Sequence, residues 1–328
     1  MAYNREDFLK IKSEFSNKYL EARKEADMRK WELYETIPEV RQIDVELSKT
    51  GLDIMQAISS GSAEEVQKSI QDIKIKNDRL LIKRRALLRT NGYPEDYSDV
   101  HYECEKCGDT GYVDTKMCSC MKKALVMAGY ESSGLSGLVR TQGFDNFSLE
   151  YYRNTEENYE KMKKVLAMFK RFSDNFNKDS YNNFILMGGT GLGKTHISTS
   201  VAKNVIERGY DVMYVTSLGM IGEFETRRFG NGAGHDNGNS GAISRYYQAE
   251  LLIIDDFGTE LSNQFTISCF YDVINSRINN RRCTIINTNL NQAEIEAKYG
   301  ERIASRLLGE YIPIVIKGTD IRKQKLMK

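Results

Sequence analysis

The sequence predicts an α/β fold, with helices on both faces of a parallel sheet, preceded by a helical N-terminal region and a small cysteine-rich module. The sheet is indicated by short apolar runs that alternate with longer amphipathic segments, at 183–187, 212–215, 251–254, 283–287 and 312–316. Strands buried on both faces are continuously apolar, and helices between them make neighbouring strands parallel. The N-terminal region, to about residue 90, is rich in Lys, Arg and Glu and repeats apolar residues at helical spacing, as at Phe8, Ile11, Phe15 and Tyr19.

The composition is typical of a soluble protein. Of the 328 residues, 40% are hydrophobic and 28% are charged, and no apolar run approaches the roughly 18 residues that span a bilayer. Residues 1–12 mix acidic and basic side chains and lack the apolar core of a signal peptide. We therefore expect a cytoplasmic protein without a membrane role. The formal net charge of +1 gives no whole-molecule argument for nucleic-acid binding, so only local basic patches could serve it.

Two local features could meet nucleic acid. A basic run ends the predicted helix before residue 90. Cations are favourably placed near a helix C-terminus, so a solvated face is the first interpretation, and a contact with a nucleic acid or an acidic partner surface is the alternative. A Gly- and Asn-rich insert at 229–241 is predicted to be a mobile surface loop. Beside the insert, Arg245, Tyr246 and Tyr247 offer the cation and rings that single-strand binding uses, although core or rim positions would explain them equally well.

A phosphate-binding pattern follows the first predicted strand of the sheet and precedes a predicted helix. It consists of Gly188, Gly189, Thr190, Gly191, Leu192, Gly193, Lys194 and Thr195, which match the Walker A motif. Glycines allow successive backbone N–H groups to point at phosphate oxygens, and the helix adds its positive N-terminal end. In this pattern Lys194 reaches the β and γ phosphates of ATP, and Thr195 places its hydroxyl on Mg²⁺.

The apolar run 251–254 ends in two carboxylates, as in a Walker B motif. Asp255 is the candidate that holds Mg²⁺ through its water shell, and Asp256 is the candidate that orients or deprotonates the attacking water. Many related ATPases have Glu at the second position. Because Asp is shorter by one methylene, the water would lie closer or another group would assist, and Glu260 is a candidate helper.

A polar residue is expected at the end of the strand 283–287. There Asn289 could hydrogen-bond the attacking water or the γ-phosphate, with Asn287 and Thr288 as close alternatives. Asn at a strand end can also serve only as a turn or capping residue.

Arginines near the end of the chain are candidates for phosphate contacts. Arg302 and Arg306 lie four residues apart on one predicted helix, and Arg322 follows the last strand. A guanidinium presents a planar, permanently charged fork to phosphate oxygens, and one from a neighbouring subunit can complete a site upon assembly. Ion pairs with surface carboxylates are the alternative.

Four of the six cysteines form a cluster with metal-ligand spacing. Cys104 and Cys107 are separated by two residues, ten residues follow, and Cys118 and Cys120 are separated by one. Two such thiolate pairs can close a tetrahedral Zn²⁺ site with no open position, which indicates a structural role. A redox C-x-x-C pair is the competing interpretation, but it leaves the second pair unexplained. His101 is a substitute ligand in principle and, with four cysteines present, is expected to be a bystander.

From about residue 144 the chain resembles the AAA+ ATPases of the bacterial replicative helicase loaders, of the DnaC and DnaI type, and the related IstB-type transposition helpers. The resemblance is carried by residues 189–196, 254–258, 288–289, 300–306 and 320–322, which read GTGLGKTH, IDDFG, TN, GERIASR and DIR. In that family these are Walker A, Walker B, sensor 1, the arginine-finger segment and sensor 2. Arg306 is then the expected finger, with Arg302 as the alternative, and Arg322 the expected sensor 2. The segment 144–147 is expected near the adenine.

The resemblance also implies an organisation and a function. Together with the composition and the cysteine spacing, it leads us to divide the chain into a helical partner-binding region at 1–95, a four-cysteine zinc module at 100–125, a linker at 126–143 and an AAA+ ATPase domain at 144–328. Because the chain ends six residues after Arg322, the AAA+ core is expected to lack a full helical lid. The implied function is a replicative helicase loader that uses ATP, Mg²⁺ and Zn²⁺, self-associates through its AAA+ domains and contacts single-stranded DNA.

Two other functions stay open. DnaI-type loaders carry an N-terminal zinc domain with a different ligand spacing, so the partner could be a replicative DNA helicase or a transposase. An IstB-like transposition or phage helper ATPase is therefore one alternative. The other is a weakly hydrolysing nucleotide-dependent adaptor, which Asp256 in place of Glu would suit.

Overall fold

A computed structural model describes residues 3–60, 63–135, 137–139, 141–229 and 239–326. The chain divides into two compact units, one of residues 12–121 and one of residues 1–11 with 122–328. No helix in these described ranges is long and apolar enough to cross a bilayer. Most of the insert predicted as a mobile loop, residues 230–238, lies outside the described residues.

The unit of residues 12–121 is mainly helical. Its helices are α1 (Arg5–Thr36), α2 (Pro38–Ser48), α3 (Thr50–Ser60) and α4 (Ala63–Thr90), of which α1 begins in the other unit. Pro38 is the first residue of α2, where the N–H that proline lacks would have no helical partner. Between the helices lies a small apolar core of Leu33, Ile37, Val40 and Leu88. An antiparallel hairpin of β1 (Tyr112–Val113) and β2 (Lys116–Met117) follows, and α5 (Ser119–Ser132) leads out of the unit.

The second unit alternates strands and helices. Two short 3-10 helices, Phe144–Asn146 and Leu149–Tyr152, come before the first strand of its sheet. The strands are β3 (Phe184–Met187), β4 (Val212–Thr216), β5 (Leu251–Phe257), β6 (Cys283–Thr288) and β7 (Ile312–Val315). The helices are α6 (Glu156–Asp174), α7 (Lys194–Glu207), α8 (Ser217–Phe229), α9 (Asn239–Gln248), α10 (Gln264–Asn279), α11 (Gln292–Tyr299), α12 (Glu301–Glu310) and α13 (Ile321–Leu326).

The five strands form one parallel sheet in the order β4-β5-β6-β3-β7. Alternate residues enter two separate apolar clusters, so that Ile185, Leu252 and Ile286 pack in one cluster and Leu186, Ile253 and Ile285 in the other. Side chains of a strand alternate between the two faces of a sheet, so both alternating sets are buried when helices cover both faces. The predicted α/β fold class is confirmed.

Strand β5 differs from its prediction at one end. It continues through both carboxylates to Phe257, and its register against β6 shifts between Ile254 and Phe257. Asp256 has a φ of 52° within this irregular stretch, a left-handed conformation in which Asp is among the residues better tolerated. The irregularity leaves Asp255 buried and Asp256 exposed.

The basic run at the end of α4 is largely paired within its own unit. The Nε of Arg84 lies 2.9 Å from Oδ1 of Asp44, and both Arg85 and Arg89 form ion pairs with Glu95. These contacts favour the interpretation of a solvated, structural face.

The three residues beside the insert are also built into the fold. Tyr246 is fully buried and donates its hydroxyl to Glu223 at 2.6 Å. Arg245 donates to Asp211 at 2.7 Å and to the carbonyl of Ser132 at 2.5 Å. Tyr247 donates to Asp272 at 2.8 Å. The contacts of Arg245 and Tyr246 show core and structural roles rather than a free stacking surface.

Candidate nucleotide site and zinc centre

The Gly-rich loop joins β3 to α7 in the conformation that an anion site needs. Gly191 and Gly193 have φ values of 74° and 83°, where a side chain would be strained. A Cβ on Gly191 would lie 2.0 Å from Oδ1 of Asp320, so the C-terminal segment packs directly on the loop. Among the described residues, no acceptor pairs with the backbone N–H groups of residues 189–195. A loop with a run of unpaired donors at a helix N-terminus fits the phosphates of a nucleotide.

Lys194, the first residue of α7, turns back over this loop. Its Nζ donates to the carbonyls of Gly188 and Gly189 and to Oδ1 of Asn289, each at 2.7 Å. Burial lowers the pKa of Lys194, while Asp255 and Asp256 oppose that shift. The amine and the Asn289 amide, which lie far apart in sequence, therefore meet beside the loop.

The Asp255 carboxylate accepts four hydrogen bonds. Its Oδ2 accepts from the Thr195 hydroxyl at 2.9 Å and from the Tyr214 hydroxyl at 2.5 Å. Its Oδ1 accepts from the Asn287 amide at 2.9 Å and from the backbone N–H of Asp256 at 3.0 Å. Mg²⁺ prefers a few protein oxygens and keeps water in its other positions. The adjacent hydroxyl of Thr195 and carboxylate of Asp255 are the residues that would hold it.

A single cleft gathers most of the predicted nucleotide-site residues. Around the loop it is lined by Asp256, Asn289 and Arg322, and by residues of the two 3-10 helices and their flanks, namely Asn146, Phe147, Ser148, Tyr151 and Tyr152. Partial desolvation of the exposed Asp256 side chain is the main cause that raises its pKa, and the charge of Asp255 adds to this rise. Of the three strand-end candidates on β6, Asn289 lines this cleft, whereas Asn287 is buried against Asp255 and Thr288 donates to the carbonyl of Phe257 at 2.6 Å.

Several contributors to the cleft escaped sequence reasoning. Tyr152 donates its hydroxyl to the carbonyl of Leu192 at 2.8 Å, inside the loop. The Nε2 of His196 lies 3.0 Å from the carbonyl of Gly143 and 2.9 Å from Oδ1 of Asn146. Tyr214 was missed because only the order of the strands places β4 beside β5. Residues of the segment 144–147 line the cleft beside the loop, and the expected position of this segment near the adenine stays a prediction.

The finger candidates lie outside the cleft of their own chain. The guanidinium of Arg306 stacks 4.5 Å from the ring centroid of Tyr271, donates to its hydroxyl at 2.8 Å and donates to Oδ1 of Asn275 at 2.9 Å. Arg302 is exposed on the same helix. A role in a neighbouring subunit's site therefore stays a prediction.

Glu260, the candidate helper for Asp256, does not line the cleft. It is 3% exposed, and its carboxylate accepts from the backbone N–H of Gly258 at 3.1 Å and from the Tyr299 hydroxyl. Lys298 forms an ion pair with it at 3.7 Å. These contacts hold the loop after β5 and keep the carboxylate away from the cleft lining.

The cysteine cluster converges on one point. The four Sγ atoms of Cys104, Cys107, Cys118 and Cys120 all lie within 4.8 Å of one another, with 3.9 Å between Cys104 and Cys118 and 3.5 Å between Cys107 and Cys120. Tetrahedral zinc with Zn–S bonds of about 2.3 Å separates its sulfurs by roughly 3.8 Å, so the cluster fits Zn²⁺. His101 is exposed and is not part of the group.

Buried Asp109 fixes the turn that carries the first cysteine pair. Its carboxylate accepts the backbone N–H groups of Glu103 and Cys104, each at 2.8 Å. The second cysteine pair follows the β1–β2 hairpin. The backbone N–H of Cys118, just after β2, donates to the carbonyl of Gly111, just before β1, at 2.8 Å. The four ligands and the turn that carries them are therefore built from one short segment.

The parallel sheet, the Gly-rich loop and the Asp255 carboxylate together define a P-loop nucleotide-binding protein. The chain belongs to the family of IstB-like ATP-binding proteins, whose sequence profile matches residues 149–327, more than half of its 328 residues. The expected family resemblance is confirmed.

Individual relatives are more distant. The chain is 24% identical over 193 residues to the replicative helicase loader DnaC of Buchnera aphidicola subsp. Baizongia pistaciae, which covers 58% of this chain and 74% of that protein. It is 25% identical over 260 residues to the phage-like element PBSX protein XkdC of Bacillus subtilis, which covers 74% of this chain and 91% of that protein. A crystal structure of the DnaC helicase loader aligns with 53% of this chain and 98% of its own, at 21% identity and a TM-score of 0.43.

Proposed function

We propose that this protein is a cytoplasmic, ATP-dependent DNA replication protein that loads a replicative helicase. The observation that carries the proposal is the meeting of the Lys194 amine, the Thr195 hydroxyl and the Asp255 carboxylate beside a loop of unpaired backbone donors. The helicase-loader part rests on relatives that carry that name, together with membership of an ATP-binding family.

Each residue of the cleft has a distinct role in this proposal. Lys194 and the loop N–H groups bind the phosphates, while Thr195 and Asp255 hold hydrated Mg²⁺. When bound, Mg²⁺ neutralises charge on the phosphates. Asp256 accepts a proton from the attacking water, and Asn289 orients that water. Arg322, on the cleft wall, contacts the γ-phosphate side.

Assembly would complete the site. Arg306 of one subunit reaches the cleft of the next, so that hydrolysis depends on self-association and acts as a timing switch. The helical region 1–95 and the zinc module 100–125 hold the helicase, the linker 126–143 connects them to the ATPase domain 144–328, and that domain contacts single-stranded DNA. Zinc has a structural role, because all four ligand positions of its site are cysteines.

Deposition of the helicase on single-stranded DNA tests the proposal. We expect the Lys194→Ala protein to lose ATP binding by at least about a hundredfold, and deposition with it, because the phosphates lose their buried cationic partner. Lys203→Ala is the control: Lys203 also lies on α7 but does not line the cleft. ATP binding and helicase deposition of this variant should equal those of the wild type. Full deposition activity in Lys194→Ala would contradict an ATP-driven loader.

A phage-type or transposition helper ATPase is the second candidate. It is favoured by the match to the PBSX protein, which covers more of this chain than the match to the DnaC relative does. Affinity purification from the native host separates the two, because a loader should retain a hexameric helicase and a helper should retain a transposase or phage protein. Turnover with and without single-stranded DNA identifies the weakly hydrolysing adaptor, which should show no stimulation.

A further inference from the structure

Tyr214 contacts the metal-binding carboxylate from the edge of the sheet. It lies on β4, the edge strand next to β5, and is aligned with Ile253. Its side chain reaches along the sheet to Asp255, two residues further on β5, where the hydroxyl donates to Oδ2 at 2.5 Å. Diagonal pairs of this kind on adjacent strands are within reach of aromatic side chains.

We propose that Tyr214 is a positioning residue that holds the Asp255 carboxylate in the orientation that receives hydrated Mg²⁺. The inference rests on the proposed nucleotide-binding function of the cleft. It assigns a role to a residue outside the Walker motifs, contributed by a different strand.

The division of donors between the two carboxylate oxygens supports this role. Oδ1 is held by the Asn287 amide and by the next backbone N–H, neither of which is needed elsewhere in nucleotide binding. Oδ2 is held by Thr195 and Tyr214. The Thr195 hydroxyl would bind the metal through an oxygen lone pair and could still donate its proton to Oδ2, so Thr195 and Tyr214 would hold this oxygen together when the metal is bound. Without Tyr214, Oδ2 would keep only one side-chain donor, and the carboxylate would be less firmly oriented toward the metal.

The backbone of Tyr214 is fixed from outside the sheet. Its N–H donates to the carbonyl of Ser133 at 2.9 Å. Gly134, with a φ of 80°, passes so close that an added Cβ would lie 2.9 Å from the Tyr214 carbonyl oxygen. Because β4 is an edge strand, its outward groups need such a partner. The segment before the ATPase domain thus supports the strand that carries Tyr214.

Binding of a fluorescent ATP analogue, measured first in EDTA and then during titration with Mg²⁺, tests the proposal. In Tyr214→Phe we expect the affinity in EDTA to stay within twofold of wild type. The Mg²⁺ concentration at half-saturation should rise about tenfold, the effect of one lost hydrogen bond to a charged group. Tyr246→Phe is the matched control, because it removes another tyrosine-to-carboxylate hydrogen bond, to Glu223 at 2.6 Å, outside the cleft lining.

An unchanged Mg²⁺ midpoint in Tyr214→Phe would overturn the inference, and so would an equal shift in Tyr246→Phe, since that would indicate general destabilisation. Absence of Mg²⁺-dependent ATP binding in the wild-type protein would instead overturn the proposed function itself. Should Tyr214→Phe not fold, Gly134→Ala tests the same link through the main chain, and an unchanged midpoint there would overturn the inference.

Discussion

The cysteine cluster and the nucleotide cleft are assembled in opposite ways. The four sulfurs of the cluster, which fit Zn²⁺, come from residues 104–120, joined by one short hairpin. The groups of the cleft come from segments around Lys194, Asp255, Asn289 and Arg322. They meet because the carboxyl ends of parallel strands lie at the same edge of a sheet. A local site depends on residue spacing within one short segment, whereas a distributed site depends on the order of the strands.

The largest expected effect concerns the local site. Substitution Cys107→Ser should abolish zinc retention and unfold the hairpin region, because apparent binding energies of structural zinc are of order 10–16 kcal/mol. Nucleotide affinity should persist, because the cleft draws no residue from the hairpin. Bound zinc per chain, limited proteolysis and binding of an ATP analogue measure the three quantities.

His101→Ala is the matched control, since this histidine lies outside the cluster and zinc should stay bound. Loss of zinc from His101→Ala, or retention in Cys107→Ser, would contradict the four-cysteine assignment.

The second effect concerns chemistry in the distributed site. Asp256→Asn should lower ATP hydrolysis by about a hundredfold or more while binding persists, because a general base contributes that much. Burial and Asp255 raise the pKa of Asp256, and only the carboxylate form accepts a proton. The rate of ATP hydrolysis should therefore fall as the pH decreases through the raised pKa of Asp256, at a higher pH than the pKa of an ordinary Asp. This acid limb of the pH–rate profile is measured by steady-state ATP turnover at a series of pH values.

Asp256→Glu keeps the carboxylate and should keep an acid limb. A limb at the same pH in Asp256→Asn would show that another group titrates, and would remove Asp256 from the proposed mechanism.

The smallest effect tests how far the distributed site extends. Gly134→Ala should raise the Mg²⁺ midpoint of ATP-analogue binding about threefold, because the added Cβ presses on the Tyr214 carbonyl and the φ of 80° is unfavourable for Ala. Gly137→Ala is the control, since nothing lies within 4 Å of its added Cβ. Equal Mg²⁺ midpoints in the two variants would contradict the link from Gly134 through Tyr214 to Asp255.

Sequence patterns were most informative where chemistry is local. The five strands were predicted within one to three residues, and the Gly-rich loop was recognised because its spacing is set by short-range backbone geometry. The register shift of β5 against β6 between Ile254 and Phe257 was not predicted, because a change of register is a property of two strands. The contacts of Glu260, the candidate helper, were not predicted for a related reason: its partners Lys298 and Tyr299 lie on helix α11, far along the chain.

The sequence by itself determined the α/β class, the loop that fits phosphate and the cluster that fits zinc, since each follows from residue spacing along a short segment. The tertiary structure alone decided that Tyr214 holds Asp255 and that Arg306 lies outside the cleft of its own chain. The physical reason is that burial of apolar surface across the whole domain sets the strand order and the helix packing. This burial leaves no sequence pattern at the individual polar residues that it brings together.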